Sequence, residues 1–246
     1  MINNDNYLDM EKIYAEHIEK CDAENFKQRY KGNEEWYHGS SAGKCVRKTY
    51  YDCTKEPISD KRTDVGNRVL RIGTITHDDL QKSVRESINT NNIYNIYIEE
   101  ELVIKELNIR GFADLITEHK ETNEVHLYDF KTIGEYPFKL KFGFKPTSKG
   151  NFAKGNKYNE LQLGTYGIAV QEKFGRLDGM HLVYINKITQ EMRHVKVGMG
   201  YLKESTNYWE QVNKKIRFGI PPLDHMSPNA NWECNYCQYK TTCKGK

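Results

Sequence analysis

Residues 111–132 read "GFADLITEHKETNEVHLYDFKT", and how this stretch folds decides the rest of the chain. Two apolar runs flank a turn-forming centre, "HKETNE" at 119–124. A hairpin folded symmetrically about Glu121 and Thr122 pairs residues whose numbers sum to 243, and so sets Asp114 opposite Asp129. Alternation along the strands then puts Phe112 and Ile116 on the face of Asp114, and Val125, Leu127 and Lys131 on the face of Asp129. Two carboxylates thus share an apolar face. Like charges directly opposite one another are destabilising, and burying them costs more. A hard divalent cation, Mg2+ or Mn2+, held by both carboxylates compensates such a pair. Lys131, two residues after Asp129, emerges on the same face and can set a positive charge beside a phosphate or its attacking water.

A D-x-K triplet is expected about once by chance in a chain of this kind, and Glu118 with Lys120 makes a second acid-x-Lys. Context separates the two. Glu118 and Lys120 flank the turn, where charges are solvated, whereas Asp129 and Lys131 lie in a strand opposite a second acid.

The chain has 246 residues, 37% of them hydrophobic, enough for one sizeable core. We expect a single domain over 1–246, with 1–37 as an N-terminal helical extension. The net charge of +3 is too small to argue a polyanionic partner by itself, so the clustering of lysines matters more than their total. No basic start leads into an apolar run, and no stretch is long enough to span a bilayer, so the expectation is a cytoplasmic protein with no membrane partner.

Around the central hairpin, residues 6–30 show helical spacing in Tyr7, Met10, Ile13, Tyr14 and Ile18. A second helix is expected from about Ser41, holding Cys45, and "GTITHDDLQKSVRESI" opens a third with His77 in its first turn. "EEELVIKELNIRGFADLITE" and "VHLYDFKTI" read as strands, "GMHLVYINKITQEMRHVKV" as a hairpin, "YNELQLGTYGIAVQEKF" as a helix, and about 200–217 as the last helix.

The ordered set of His77 in "GTITHDDLQ", Asp114 in "GFADLI", Asp129 and Lys131 in "YDFKT", and Gln162 and Tyr166 in "QLGTY" resembles the PD-(D/E)XK nuclease superfamily, specifically its RecB-like branch. The resemblance implies an α/β restriction-endonuclease-like core, a central mixed sheet flanked by helices. It implies that His77, Asp114, Asp129 and the main-chain carbonyl of Phe130 bind the catalytic Mg2+ or Mn2+, that Lys131 assists hydrolysis, and that the helix of Gln162 and Tyr166 borders the active site. Those two residues are four apart, so a helix projects them from one face.

The tail "WECNYCQYKTTC" supplies Cys234, Cys237 and Cys243, three soft ligands and one short of a tetrahedral set. RecB-like nucleases with an iron-sulfur cluster, among them AddB-type domains and CRISPR-associated exonucleases of the Cas-four type, show one early and three late cysteines. That likeness selects Cys45 as the fourth ligand of a [4Fe-4S] cluster built on 232–243 plus Cys45. Structural Zn2+ also suits four thiolates. Cys53 is the weaker candidate for fourth ligand, and Cys21 has no expected cluster role.

Residues 136–159, "YPFKLKFGFKPTSKGNFAKGNKYN", contain no acid and interleave Lys139, Lys141, Lys145, Lys149, Lys154 and Lys157 with aromatic rings. Read as a long loop, the segment suits a single DNA strand, lysines on phosphates and rings on bases. The expected function is a metal-dependent DNA nuclease, an exonuclease by its resemblance, acting on single-stranded or end-containing DNA. DNA repair or recombination, CRISPR adaptation and phage DNA metabolism all suit it. No P-loop is present, so unwinding needs a helicase or another recombination or CRISPR-adaptation partner. The alternative is a non-catalytic nucleic-acid-binding module of the same fold with structural zinc.

Overall fold

A computed structural model describes residues 8–29, 36–143, 157–216, 221–222 and 230–245. In chain order its elements are α1 (Met10–Arg29), β1 (Tyr37–His38), α2 (Val46–Cys53), α3 (Asp64–Asn91), β2 (Tyr94–Ile104), β3 (Ile109–His119) and β4 (Val125–Ile133). After them come α4 (Glu135–Phe142), α5 (Tyr158–Phe174), β5 (Gly179–Asn186), β6 (Met192–Val197), α6 (Gly200–Ile216), α7 (Ala230–Asn235) and α8 (Lys240–Gly245).

The hairpin of β3 and β4 forms with the expected register. Its rungs run from Glu118 with Val125 to Leu115 with Tyr128 and keep the sum of 243. There the pairing stops, one step short of Asp114 and Asp129. β4 continues alongside the parallel strand β5, with Asp129 beside Leu182, and β5 pairs antiparallel with β6. β3 instead stays with antiparallel β2, and meets parallel β1 at Ile109 and Arg110. Since β2 holds one edge of β3, β1 and β4 share the other, and residues 111–114 of that edge pair with neither. The mixed sheet forks at Asp114.

β3 also turns over at the fork. Ile109 and Ala113 join the same core cluster as Ile116, whereas Leu115 joins the cluster on the opposite face. Strict alternation would have kept 113 and 115 together. Glu99, facing Asp114 between the flanking rungs of β2, carries the matching irregularity, a φ of 53°. The expectation that Phe112 and Ile116 share a face is therefore corrected: Ile116 is wholly buried, and Phe112 stays outside that core.

Helices α5 and α6 cover one face of the sheet, with Leu163, Tyr166 and Val170 against Leu127, Tyr184 and Trp209. They lie close together, because a Cβ at Gly164 would sit 2.5 Å from the Tyr201 carbonyl oxygen. On the other face α3 lays Leu80 and Val84 over Leu115, Phe130 and Ile185. Each fully buried side chain of this size contributes about 1.5–3 kcal/mol.

Several expected boundaries move. The helix of His77 starts at Asp64, where the Thr63 side chain accepts a hydrogen bond from the Gly66 N–H at 3.1 Å, so His77 lies mid-helix rather than in the first turn. Cys45 is the N-cap of α2 and not inside a helix begun at Ser41, because a 3-10 turn at Gly39–Ser41 comes first. Tyr37 pairs in the sheet, so the helical extension ends before it. The segment after Lys131 is not all loop, since Glu135–Phe142 forms α4 with Pro137 in its first turn, where a missing N–H costs nothing.

Candidate active site

The fork explains why two acids sit where core residues are expected. Asp114 has lost its rung, and its Oδ2 accepts a hydrogen bond from the Phe130 N–H at 2.7 Å, so the carboxylate takes the place of a partner strand's carbonyl. Asp129 points from β4 toward α5. Its Oδ1 accepts from Gln162 Nε2 at 3.0 Å, and its Oδ2 faces the Lys131 ammonium as an ion pair without accepting a well-aligned hydrogen bond. Asp129 is 1% exposed.

Electrostatics divide the two acids. Burial, only partly offset by Lys131, pushes Asp129 up to about 6, and the Asp114 charge adds to the rise. Burial also opposes the Asp114 anion, but His77, Lys131 and the Phe130 N–H overcome it and hold that carboxyl below its usual range. Against its own burial, Lys131 is kept protonated by both acids. His77 Nδ1 stands 3.7 Å from Asp114 Oδ2, and its ring meets Phe130 edge-on. Burial disfavours its imidazolium, yet Asp114 raises it on balance.

This donor set suits a hard cation. Two carboxylates at the fork, one with an oxygen met by the Lys131 ammonium alone, stand beside an imidazole, and oxygen ligands favour Mg2+ or Mn2+. Among the described residues no three His, Cys, Asp or Glu side chains converge ready-made on one ion. The ammonium of Lys131 lies against Asp129 Oδ2, so a cation bound there must displace or share it.

Gln162 and Tyr166 share the inward face of α5 as expected, and Gln162 holds an acid of the fork. Tyr166, 4% exposed, fills the gap in the β3 edge: a Cβ on Gly39 or Gly111 would lie 2.4 or 2.5 Å from its Cε1. Three residues of the site, Gln81, Glu99 and Lys44, escaped the sequence. Gln81 donates from Nε2 to Glu99 Oε1 at 2.8 Å and to the Asp114 carbonyl at 3.3 Å, tying α3 to the fork. Its position four after His77 was the available signal. Lys44 exposes much of its surface, yet its ammonium is withdrawn from water enough to fall to about 8, with Lys131 and Lys48 pushing the same way.

The basic segment is divided by what the structure describes. Lys139 pairs with Glu135, Lys141 with Glu160 at 3.4 Å, and Lys157 with Glu204 at 3.4 Å. Phe138 is buried against Phe142, which packs on Tyr184, so these two rings are core and not free to stack on bases. Lys145, Lys149 and Lys154 lie outside the described residues.

Cys45, Cys234, Cys237 and Cys243 line one cavity together with Arg47, Lys48, Tyr51, Lys240 and Lys244. None of the four is in a disulfide. Burial pushes Cys45 up to about 11 and raises Cys237, and the Tyr239 N–H donates to Cys237 Sγ at 3.4 Å. Cys53 packs against the main core instead, and Cys21 contacts His17 on α1.

Comparison with known proteins places this geometry. The protein SSO0001 superposes with a TM-score of 0.53 at 17% identity, covering 94% of this chain and 96% of its own. A protein of Eubacterium rectale named as an exonuclease gives 0.51 at 13% identity, over 85% and 92%. At these identities the likeness speaks for the fold alone. No curated protein sequence matches the chain. A sequence profile does match, over residues 34–244, and it spans the fork, both acids, the lysine and all four cavity cysteines: the chain belongs to the PD-(D/E)XK nuclease superfamily.

Proposed function

We propose that the chain is a metal-dependent deoxyribonuclease of the RecB-like branch, acting as an exonuclease on DNA ends. The observation that carries this reading is the buried Asp129 carboxylate, which shares the fork with Asp114 and touches Lys131 and Gln162. Asp114 also caps the open edge by accepting from the Phe130 N–H, but among the described residues Asp129 satisfies no backbone group there. Asp114, Asp129, His77 and the Phe130 carbonyl would hold Mg2+ or Mn2+. A cation bound there supplies Lewis acidity, polarising a phosphoryl oxygen and easing deprotonation of the attacking water.

The protein's own groups do the rest. Gln162 fixes the rotamer of Asp129 through Oδ1, leaving Oδ2 for the cation. Lys131, kept protonated by both acids, moves from Oδ2 to stabilise the charge that grows on the phosphate. His77 and the Phe130 N–H hold Asp114 ionised. Lys145, Lys149 and Lys154 grip the incoming strand by its phosphates.

The same domain, 1–246, would be closed by Cys45, Cys234, Cys237 and Cys243 around a [4Fe-4S] cluster. Four thiols in a cavity ringed by cationic side chains suit its negative charge. Four thiols also suit structural Zn2+. The deciding experiment is digestion of end-labelled single- and double-stranded DNA by anaerobically purified protein with Mg2+ or Mn2+. Shortening from one end establishes activity and polarity together, and DNA left intact by fully loaded protein ends the nuclease reading.

A further inference from the structure

The cysteine cavity and the acidic fork are joined by one carboxylate. Glu233, next to Cys234 in α7, accepts from the Cys45 N–H through Oε2 at 2.9 Å, across 188 residues of sequence. Its other oxygen, Oε1, accepts from the Tyr158 hydroxyl. Tyr158 opens α5, and one turn later in that helix Gln162 holds Asp129. A second approach follows the same line. Gly43, two residues before Cys45, has φ of 72° and lies so close to α5 that a Cβ there would be 3.1 Å from Tyr158 Cδ1 and 3.4 Å from Tyr158 Cα. The backbone leading into Cys45 is thus seated on the first turn of α5.

We propose that Glu233 and Tyr158 are positioning residues for the Asp129 carboxylate, through which closure of the cysteine element sets the first turn of α5 and with it Gln162. The inference rests on the nuclease reading of the fork. The other ties of that turn lead elsewhere: Lys157 to Glu204, Asn159 to the Tyr184 hydroxyl at 3.1 Å, and Glu160 to Lys141. Of these ties among the described residues, the one from Tyr158 reaches the cysteines. When the element opens, Glu233 leaves with Cys234, Tyr158 loses this acceptor, and Asp129 loses the fixed Gln162 donor that orients its carboxylate.

Tyr158→Phe tests this in the full chain with its cysteines loaded. It keeps the ring against Gly43 and leaves the Glu233 bond to Cys45 in place, so cysteine-bound metal content and melting temperature should match the unmodified protein. Mn2+ affinity without DNA, measured by calorimetry, should weaken by several-fold, with about tenfold, the low end for removing the ligand's own outer partner, as the ceiling. Glu233→Ala, which removes the acceptor altogether where a Gln amide could still donate to the Tyr158 oxygen, should weaken it at least as much, and the double variant should be no worse than the weaker-binding single one, since both cut one link. Unmodified Mn2+ affinity in Tyr158→Phe, or additive losses in the double variant, would overturn the proposal. An unmodified chain that binds no Mn2+ at all would instead overturn the nuclease reading beneath it.

Discussion

Strand β4 carries titratable side chains on both of its faces, and the two faces hold them in opposite ways. Toward α5 stand Asp129 and Lys131, charged groups held by mutual compensation, each altering the other's proton affinity. On the other face His126 and Tyr128 meet His181 of β5 and His194 of β6 in a stack of rings, with His126 Nδ1 3.0 Å from His181 Nε2. There the rings stack on one another from half-buried Tyr128 out to exposed His194, and His181, the buried one, is kept uncharged by burial. A set of opposed charges can rearrange when a ligand arrives; a set of stacked rings only packs. The first arrangement belongs to chemistry and the second to stability.

The largest effect that would break this comparison is loss of activity without loss of fold. Asp129→Ala should lower cleavage by at least about a thousandfold if, as proposed, it removes a ligand of the cation, whose Lewis acidity is worth several kcal/mol. The fold should survive with a lower melting temperature, since Lys131 and the Gln162 amide lose a buried partner, an effect the relief of repulsion from Asp114 offsets only in part. Lys131→Ala should lose cleavage similarly while still binding Mn2+. Near-normal cleavage by either purified variant would move the active site elsewhere.

Next in size is the cysteine element. Cys45→Ala should lose the brown colour and broad visible absorption expected of a [4Fe-4S] protein, together with much of its solubility, whereas Cys21→Ala, with its sulfur out on α1, should keep both. Colourless, zinc-loaded protein from an anaerobic preparation would decide for zinc.

These tests also mark how far the sequence could be read. The hairpin register was legible because a turn and two alternating strands are local, and every rung from 115 to 118 obeys it. Helix α5 was legible end to end for the same reason. The fork was not, because it depends on β1 and β5 drawing β3 and β4 apart, and neither strand is near the hairpin in sequence. Helix α3 hid its start behind Gly66 and Gly73, poor helix formers that its Thr63 cap outweighs. The link from Glu233 to Tyr158 spans 75 residues and leaves no periodic trace.

Smaller again is the effect of the basic segment. Changing Lys145, Lys149 and Lys154 to Gln should weaken single-strand binding and flatten its log-log salt dependence by up to about 0.7 for each phosphate left without its lysine. Cleavage at saturating DNA should largely survive. Unchanged affinity and slope would leave the DNA grip to other residues.

The smallest effect distinguishes the two faces of β4 by the sign of their pH dependence. Burial, with His194, His126 and Lys196 adding repulsion, lowers His181 to about 4, so between about 6.5 and 4 the unfolded chain takes up a proton that the folded one refuses. The stability His181 contributes is therefore present above about 6.5 and lost as the pH falls toward 4. Asp129 runs the other way. Its raised value means that the folded protein takes up a proton first on acidification, so its contribution is present below about 4 and lost as the pH rises through about 6. In a chelator-containing buffer, His181→Phe should flatten the loss of melting temperature between pH 6.5 and 4, by an amount on the order of 1 kcal/mol after allowance for solvent screening. Asp129→Asn, which keeps the shape and removes the titration, should steepen that loss. Equal slopes in the two variants would mean that the faces do not differ as their burial and charges require.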